Sequence, residues 1–220
     1  MRLQHQWLGQ NIDYQQGLDL QNQCVQNIID GKTGNQLLNL EHSPVYTIGR
    51  TRDRSSLGNQ TSHLPHPVVE ISRGGQATYH GPGQLTGYPI IDLHPLGNDL
   101  HAYIRGLEEA LIRTCSEFNV VAGRREGLTG VWVENRKLAS IGVGVRKWIA
   151  LHGYAINITR ESLNGFFAIT PCGIDGVQMT CLENECGTDV DVRAFADKLL
   201  PHLESVLAEM QQARETSATK

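Results

Sequence analysis

The sequence predicts an α/β fold of the α+β kind, a single domain in which helices flank a mixed or antiparallel sheet. Three observations carry this expectation. Strand-like runs occur as adjacent hairpin-like groups, not in the regular alternation of βαβ units. Three amphipathic helical stretches separate and follow those groups. The 220 residues suit one core, since single cores stop growing at roughly 250–300 residues. The expected catalytic unit covers residues 1–210, with a disordered tail at 211–220 and room for a C-terminal subdomain from about Asp175.

The elements follow in chain order. Tyr14, Leu18, Val25, Ile28 and Ile29 recur at near-helical spacing between Asp13 and Gly31, which predicts the first helix. Gln36–Glu41 and Val45–Gly49 read as short strands parted by the Ser43-Pro44 turn. Arg50 to Pro67 is polar, contains Pro and Gly, and reads as a long loop of the kind often reserved for function. Val68–Ser72 and Leu85–Leu93 are predicted strands on either side of a glycine-rich stretch. Asn98 or Asp99 caps a second helix that presents Leu100, Tyr103, Ile104, Leu107, Leu111 and Phe118 on one face. Three β-like runs come next, Gly130–Val133, Leu138–Val145 and Trp148–Ile158, joined by turns at 134–137 and 146–147. Thr188 opens the last helix, carrying Val192, Phe195, Leu199, Leu203, Val206 and Met210, and Pro201 is expected to kink or divide it.

Composition removes several function classes. Apolar residues at 40% and charged residues at 19% are ordinary for a packed globule, which argues against a disordered or fibrous chain. A formal charge of −4 provides no broad basic field, so nucleic acid is not an expected partner. No apolar run approaches the roughly 18–20 residues that span a bilayer, and the first residues lack the apolar core of a secretory signal. No membrane association and a cytoplasmic location are therefore expected. Cys24, Cys115, Cys172, Cys181 and Cys186 are odd in number and irregularly spaced, a pattern that favours reduced thiols over a disulfide framework. Cys172, Cys181 and Cys186 lack a second close pair at finger-like spacing, so no metal is expected.

Two segments and two single residues hold candidate chemistry. Arg73-Gly74-Gly75-Gln76-Ala77-Thr78-Tyr79-His80-Gly81-Pro82-Gly83-Gln84 lies between two strands, and its glycines let backbone N–H groups approach a ligand. It lacks the Gly-Lys-Ser/Thr ending of a phosphate-binding loop and is not a G-x-G-x-x-G turn; it also reads as an ordinary Gly/Pro loop. Thr170-Pro171-Cys172-Gly173-Ile174 is a constrained bend with little bulk beside the sulfur. A thiol there suits thioester formation, and by itself it equally suits a small buried turn residue. Lys137 stands at a turn-to-strand junction, where a solvated lysine is the default. His152 lies in an apolar run and reads as readily as a satisfied core histidine.

Together these segments resemble the lipoyl(octanoyl) transferases of lipoate biosynthesis. The resemblance rests on Arg73–Gln84 with Gly87-Tyr88-Pro89, and on Glu41-His42-Ser43-Pro44-Val45-Tyr46-Thr47-Ile48-Gly49-Arg50 before it. Gly130-Val131-Trp132-Val133, Lys137-Leu138-Ala139-Ser140-Ile141-Gly142, His152-Gly153-Tyr154-Ala155-Ile156-Asn157 and Pro171-Cys172-Gly173 follow in the same order. It spans roughly Glu41 to Thr180. It implies the fold of the biotin and lipoate protein ligase catalytic domain. It further implies transfer of an octanoyl group from octanoyl-acyl carrier protein to a lysine of lipoyl domains, those of 2-oxoacid dehydrogenases and of the glycine cleavage H protein. By resemblance, Cys172 is the acyl-enzyme cysteine and Lys137 the catalytic lysine. The acyl-binding segments fall on Arg73 to His80, on Ser140-Ile141-Gly142 and on Gly153-Tyr154-Ala155, and His80 is a candidate orienting residue. No cofactor is expected, because a thioester is already activated towards an amine. The ATP-dependent ligases share the fold and an Arg-Gly-Gly segment, but the His80–Gln84 ending and the Pro171-Cys172-Gly173 turn favour the transferase.

Overall fold

A computed structural model of the chain describes residues 1–50, 57, 64–169 and 177–218. The chain runs β1 (Gln4–Trp7), α1 (Tyr14–Ile29), β2 (Gln36–Leu40), β3 (Val45–Ile48), β4 (Val68–Glu70), β5 (Thr78–His80) and β6 (Gln84–Ile90). It continues through α2 (Leu100–Ser116), β7 (Gly123–Arg125), β8 (Leu128–Val133), β9 (Arg136–Arg146), β10 (Ile149–Asn157), β11 (Gln178–Met179), α3 (Leu182–Cys186) and α4 (Val192–Ala218). Short 3-10 segments occupy His94–Leu96 and Arg160–Ala168.

The main sheet has the order β1-β2-β6-β10-β9-β8-β7, and β11 adds to β9 off this path. β1 pairs with β2 in parallel, as β11 does with β9, whereas the remaining pairs are antiparallel. A second sheet has the order β4-β3-β5. The expected α/β fold with a mixed sheet is therefore what the chain forms.

Strand side chains alternate between faces, and the core divides accordingly. Leu37 and Leu85 face the larger apolar cluster, which α2 and α4 cover with Leu107, Leu111, Phe195, Leu199 and Leu203. Leu38, Leu40, Tyr88 and Ile90 face the other side, packing with Val25 and Cys24 of α1. The caps follow ordinary chemistry. Asp13 Oδ1 accepts from the Gln15 and Gln16 amides at 2.8 and 3.1 Å, and Asp99, not Asn98, caps α2 by accepting from Ala102 N at 2.9 Å.

β2 and β3, parted by Ser43-Pro44 as expected, belong to separate sheets. Several expectations need correction. β5 forms inside the stretch read as a continuous glycine-rich loop. α4 opens at Val192 rather than Thr188, with Asp191 Oδ1 accepting from Ala194 N at 2.7 Å. Pro201 does not divide it, because Phe195 and Leu199 before the proline and Leu203 and Leu207 after it enter the same apolar cluster. The helix continues to Ala218, through residues that composition assigned to a tail. Most of the polar Arg50–Pro67 stretch lies outside the described residues, although Leu57 is buried. Among the described residues no helix is long and apolar enough to cross a membrane.

Candidate active site

A half-enclosed cavity of about 270 Å³ opens where β6, β9 and β10 meet α1 and the Arg73–His80 stretch. Its walls include Arg73, Gly75, Gln76, Thr78, His80, Lys137, Ser140, Ile141, Gly142, Gly153, Tyr154 and Ala155. The β9–β10 ladder brings the last two predicted segments together by pairing Ser140 with Ala155, Ile141 with Tyr154 and Gly142 with Gly153. Glycine is needed at two of these positions. A Cβ on Gly142 would sit 2.8 Å from Arg73 Cδ, and one on Gly153 would run into the Gly87 carbonyl.

Three predicted residues do not reach the cavity wall. Ala77 and Tyr79 point into an apolar cluster with Tyr46, Ile48 and Phe166, and the Gly74 amide donates to Val143 O at 3.2 Å. Cys172 lies outside the described residues. Wall residues that sequence reasoning passed over are Tyr14, Thr86, Tyr88, Gly127, Leu128, Thr129 and His152 as a lining group. Tyr88 stood inside a quoted motif; Tyr14 was visible only as the apolar face of α1.

The polar groups here are held firmly. Arg73 Nη2 donates to the carbonyl and hydroxyl oxygens of Thr47 at 3.1 and 2.9 Å, and Nη1 donates to Gly74 O at 2.9 Å. Gln84 Nε2 donates to Tyr79 O and to Asn157 Oδ1, which leaves Gln84 Oε1 to accept from His80 Nδ1 at 2.9 Å. His42 Nδ1 donates to Ile12 O at 2.9 Å, so its Nε2 accepts from the Tyr88 hydroxyl at 2.6 Å. Burial drives the electrostatics. It pushes His42 down to about 4, and it lowers His80 well below the ordinary imidazole range with help from His42 and Arg73. His152 falls to about 4 through burial and then Arg73, and burial raises Tyr14 to about 12. At neutral pH these groups are uncharged hydrogen-bonding partners and not acids.

Lys137 is 4% exposed, with Nζ 5.3 Å from the centroid of the Trp132 ring. Gly130 makes room for it, since a Cβ there would meet Lys137 Cε at 2.9 Å. The Gly130 amide is itself fixed, donating to the fully buried Glu108 carboxylate at 2.9 Å, and Arg105 and Arg124 neutralise that carboxylate. Next to Lys137, β11 pairs Met179 with it in parallel, and Thr180 N donates to Lys137 O at 3.0 Å. Asn157 Nδ2 then holds Thr180 O at 2.9 Å, which links the lysine's strand to Gln84 and His80. The chain thus re-enters the described structure, five residues after Cys172, alongside Lys137.

Three of the other thiols are poorly suited to attack. Burial raises Cys24 and Cys181, and takes Cys115 to about 12. Among the described residues no group of three or more His, Cys, Asp or Glu side chains is placed to hold a metal ion.

A mixed sheet flanked by helices is the fold of the lipoate and biotin protein ligase catalytic domains. The bipartite lipoate protein ligase of Thermoplasma acidophilum aligns with a TM-score of 0.67 and 15% identity, over 97% of this chain and 90% of that one. The biotin protein ligase of Aquifex aeolicus, solved with biotin and ATP, aligns with a TM-score of 0.62 and 14% identity, over 95% of this chain and 72% of that one. At those identities the likeness is one of fold. The lipoyl protein ligase A/B catalytic domain family matches residues 13–204, and the octanoyltransferase of Cytophaga hutchinsonii is 43% identical over 214 residues, 87% of each chain. The chain belongs to the lipoyl protein ligase A/B catalytic domain family and, within it, to the octanoyltransferases.

Proposed function

We propose that the protein transfers an octanoyl group from octanoyl-acyl carrier protein to a lysine of lipoyl domains, through a thioester on Cys172. The observation that carries this reading is Lys137, a buried amine in the wall of the cavity, on the strand that receives the chain just after Cys172. The Cys172 thiolate attacks the donor's carbonyl carbon, a new C–S bond forms, and the donor's C–S bond breaks. Lys137 as ammonium stabilises the thiolate and gives its proton to the departing carrier thiol. In the second half the acceptor lysine amine attacks the acyl-cysteine, and neutral Lys137 takes the proton that amine must lose. Cys172 then leaves as a thiolate and the cycle closes. The cavity holds the alkyl chain, where each buried CH₂ contributes about 0.8 kcal/mol. The acceptors are lipoyl domains of 2-oxoacid dehydrogenases and of the glycine cleavage H protein, and neither ATP nor metal enters the balance.

Intact-protein mass spectrometry after mixing with octanoyl-acyl carrier protein, without ATP, tests this. The expected result is one octanoyl adduct on the wild type, absent from Cys172→Ser and discharged by a lipoyl domain. Lys137→Met should slow both acylation and discharge by at least about a hundredfold, in the range of lost general acid–base catalysis. Product that appears only with free octanoate and ATP would move the protein to ligase chemistry and sink the reading.

A further inference from the structure

Lys137 faces Trp132 only because the β8–β9 ladder is irregular. Val131 pairs with Ala139, so an unbroken register would set Trp132 against Leu138. The register shifts there instead, Leu138 becomes the extra residue, and Lys137 is the partner of Trp132. Leu138 and Ala139, adjacent in the strand, both enter the same apolar cluster as a result. Directly opposed side chains share one face of a sheet. The bulge thus aims the lysine at the indole, with Nζ 5.3 Å from the ring centroid. Arg125 Cζ stands 5.1 Å from the same centroid. The indole is not a neutral filler. Trp132 is 2% exposed, and among the described residues its ring N–H finds no acceptor. A buried donor left unpaired opposes folding, and an apolar side chain would fill the space without it. What tryptophan supplies in exchange is the ring face that attracts a cation best.

Resting on the reading above, we propose that Trp132 is a positioning residue, which holds Lys137 while it is an ammonium and releases it as a neutral amine. The attraction of the ring face is electrostatic and belongs to the charged form. In the first half-reaction the ammonium, fixed over the indole, gives its proton to the departing carrier thiol. The neutral amine then loses its hold and is free to turn to the incoming lysine. When it takes that lysine's proton it returns to the ring. Trp132 is not part of the cavity wall, so it acts through Lys137 and not on the acyl chain. Arg125 is charged throughout, and is the competing cation on the same ring.

Site-specific replacement of Trp132 by mono-, di- and trifluorotryptophan withdraws charge from the ring face with little change of shape. The readout is the single-turnover rate constant for octanoyl adduct formation at saturating octanoyl-acyl carrier protein. Its logarithm is expected to fall with each fluorine, to about tenfold below wild type in the last member. Discharge by a lipoyl domain, which starts from the neutral amine, should stay close to wild type. A flat series, or equal slowing of both half-reactions, would make the ring a structural filler and overturn the proposal. The same series in Arg125→Met should keep its slope; a slope that vanishes would assign the effect to Arg125 and overturn it too. Proton NMR of protein labelled with carbon-13 at lysine Cε needs no acyl transfer. The Lys137 signal, assigned by its loss in Lys137→Met, should be ring-shifted upfield in wild type and should move to an ordinary position in Trp132→Leu. If no form of the protein acquires the octanoyl group, the transferase reading fails, while the ring-shifted signal still upholds the hold on Lys137 and an unshifted one refutes it.

Discussion

Gly130 shows how one hydrogen atom governs the lysine of the site. Its φ of +129° disfavours any side chain, and an added methyl group would press on Lys137 Cε and on the Ala139 carbonyl. Gly130→Ala is expected to destabilise the protein by about 1–3 kcal/mol and to slow transfer beyond what that loss explains. Thermal unfolding and single-turnover transfer at a temperature well below the midpoint separate the two effects. The histidines give a pH prediction. The folded protein holds His42 and His152 at about 4, below the ordinary 6.5, so the unfolded chain takes up protons first as the solution is acidified. The stability linked to each is fully present above about pH 6.5 and drains away towards about pH 4, on the order of 3 kcal/mol per residue. His152 sits at φ +60°, which asparagine tolerates. Denaturant midpoints measured from pH 7.5 to 4.5 should fall less steeply in His152→Asn, and an unchanged slope would refute this account. None of this was legible in the sequence. The partners that fix the His42 tautomer, Ile12 and Tyr88, lie 30 and 46 residues away, and no local pattern announces them.

Long periodic segments were legible and short ones were not. α1, α2, β6, β9 and β10 carry enough apolar residues at period 3.6 or 2 to declare themselves, and their observed bounds stay within a few residues of expectation. β1, β5, β7 and β11 have two to four residues each, with sequences such as Gln-His-Gln-Trp and Gly-Arg-Arg, and exist because a neighbouring strand offers a ladder. The surroundings of Lys137 show the same limit, since β11, which leads to the Thr180 amide that holds its carbonyl, left no pattern to read. α4 errs in the opposite sense, since local propensity demanded a break at Pro201 and packing on both sides overrode it. Pro201→Ala should therefore stabilise the protein, by about 1–3 kcal/mol after the loss of proline's restriction of the unfolded chain. A melting temperature that stays level or drops would mean that the proline's rigidity outweighs the missing hydrogen bond.

At the scale of the molecule, the proposed reaction puts a second way of activating an acid on a scaffold shared with a ligase. The Aquifex aeolicus ligase was solved with ATP on this fold, whereas the reading proposed here begins from a thioester. The sheet brings together segments remote in sequence to form the cavity: Tyr14, the Arg73–His80 stretch, Lys137 and the β9–β10 pair. The two ends of the main sheet carry a different consequence. At one margin stands β1, four residues long and mostly polar; at the other stands β7, three residues whose Arg124 is anchored by Glu108 and Glu109. Behind β1 lies Gln-Leu-Leu-Asn-Leu, an uncharged apolar ribbon of the kind that recruits copies of itself into fibres. Without those four residues near the N-terminus, β2 would stand at the margin of the sheet with its outer hydrogen-bonding edge uncovered.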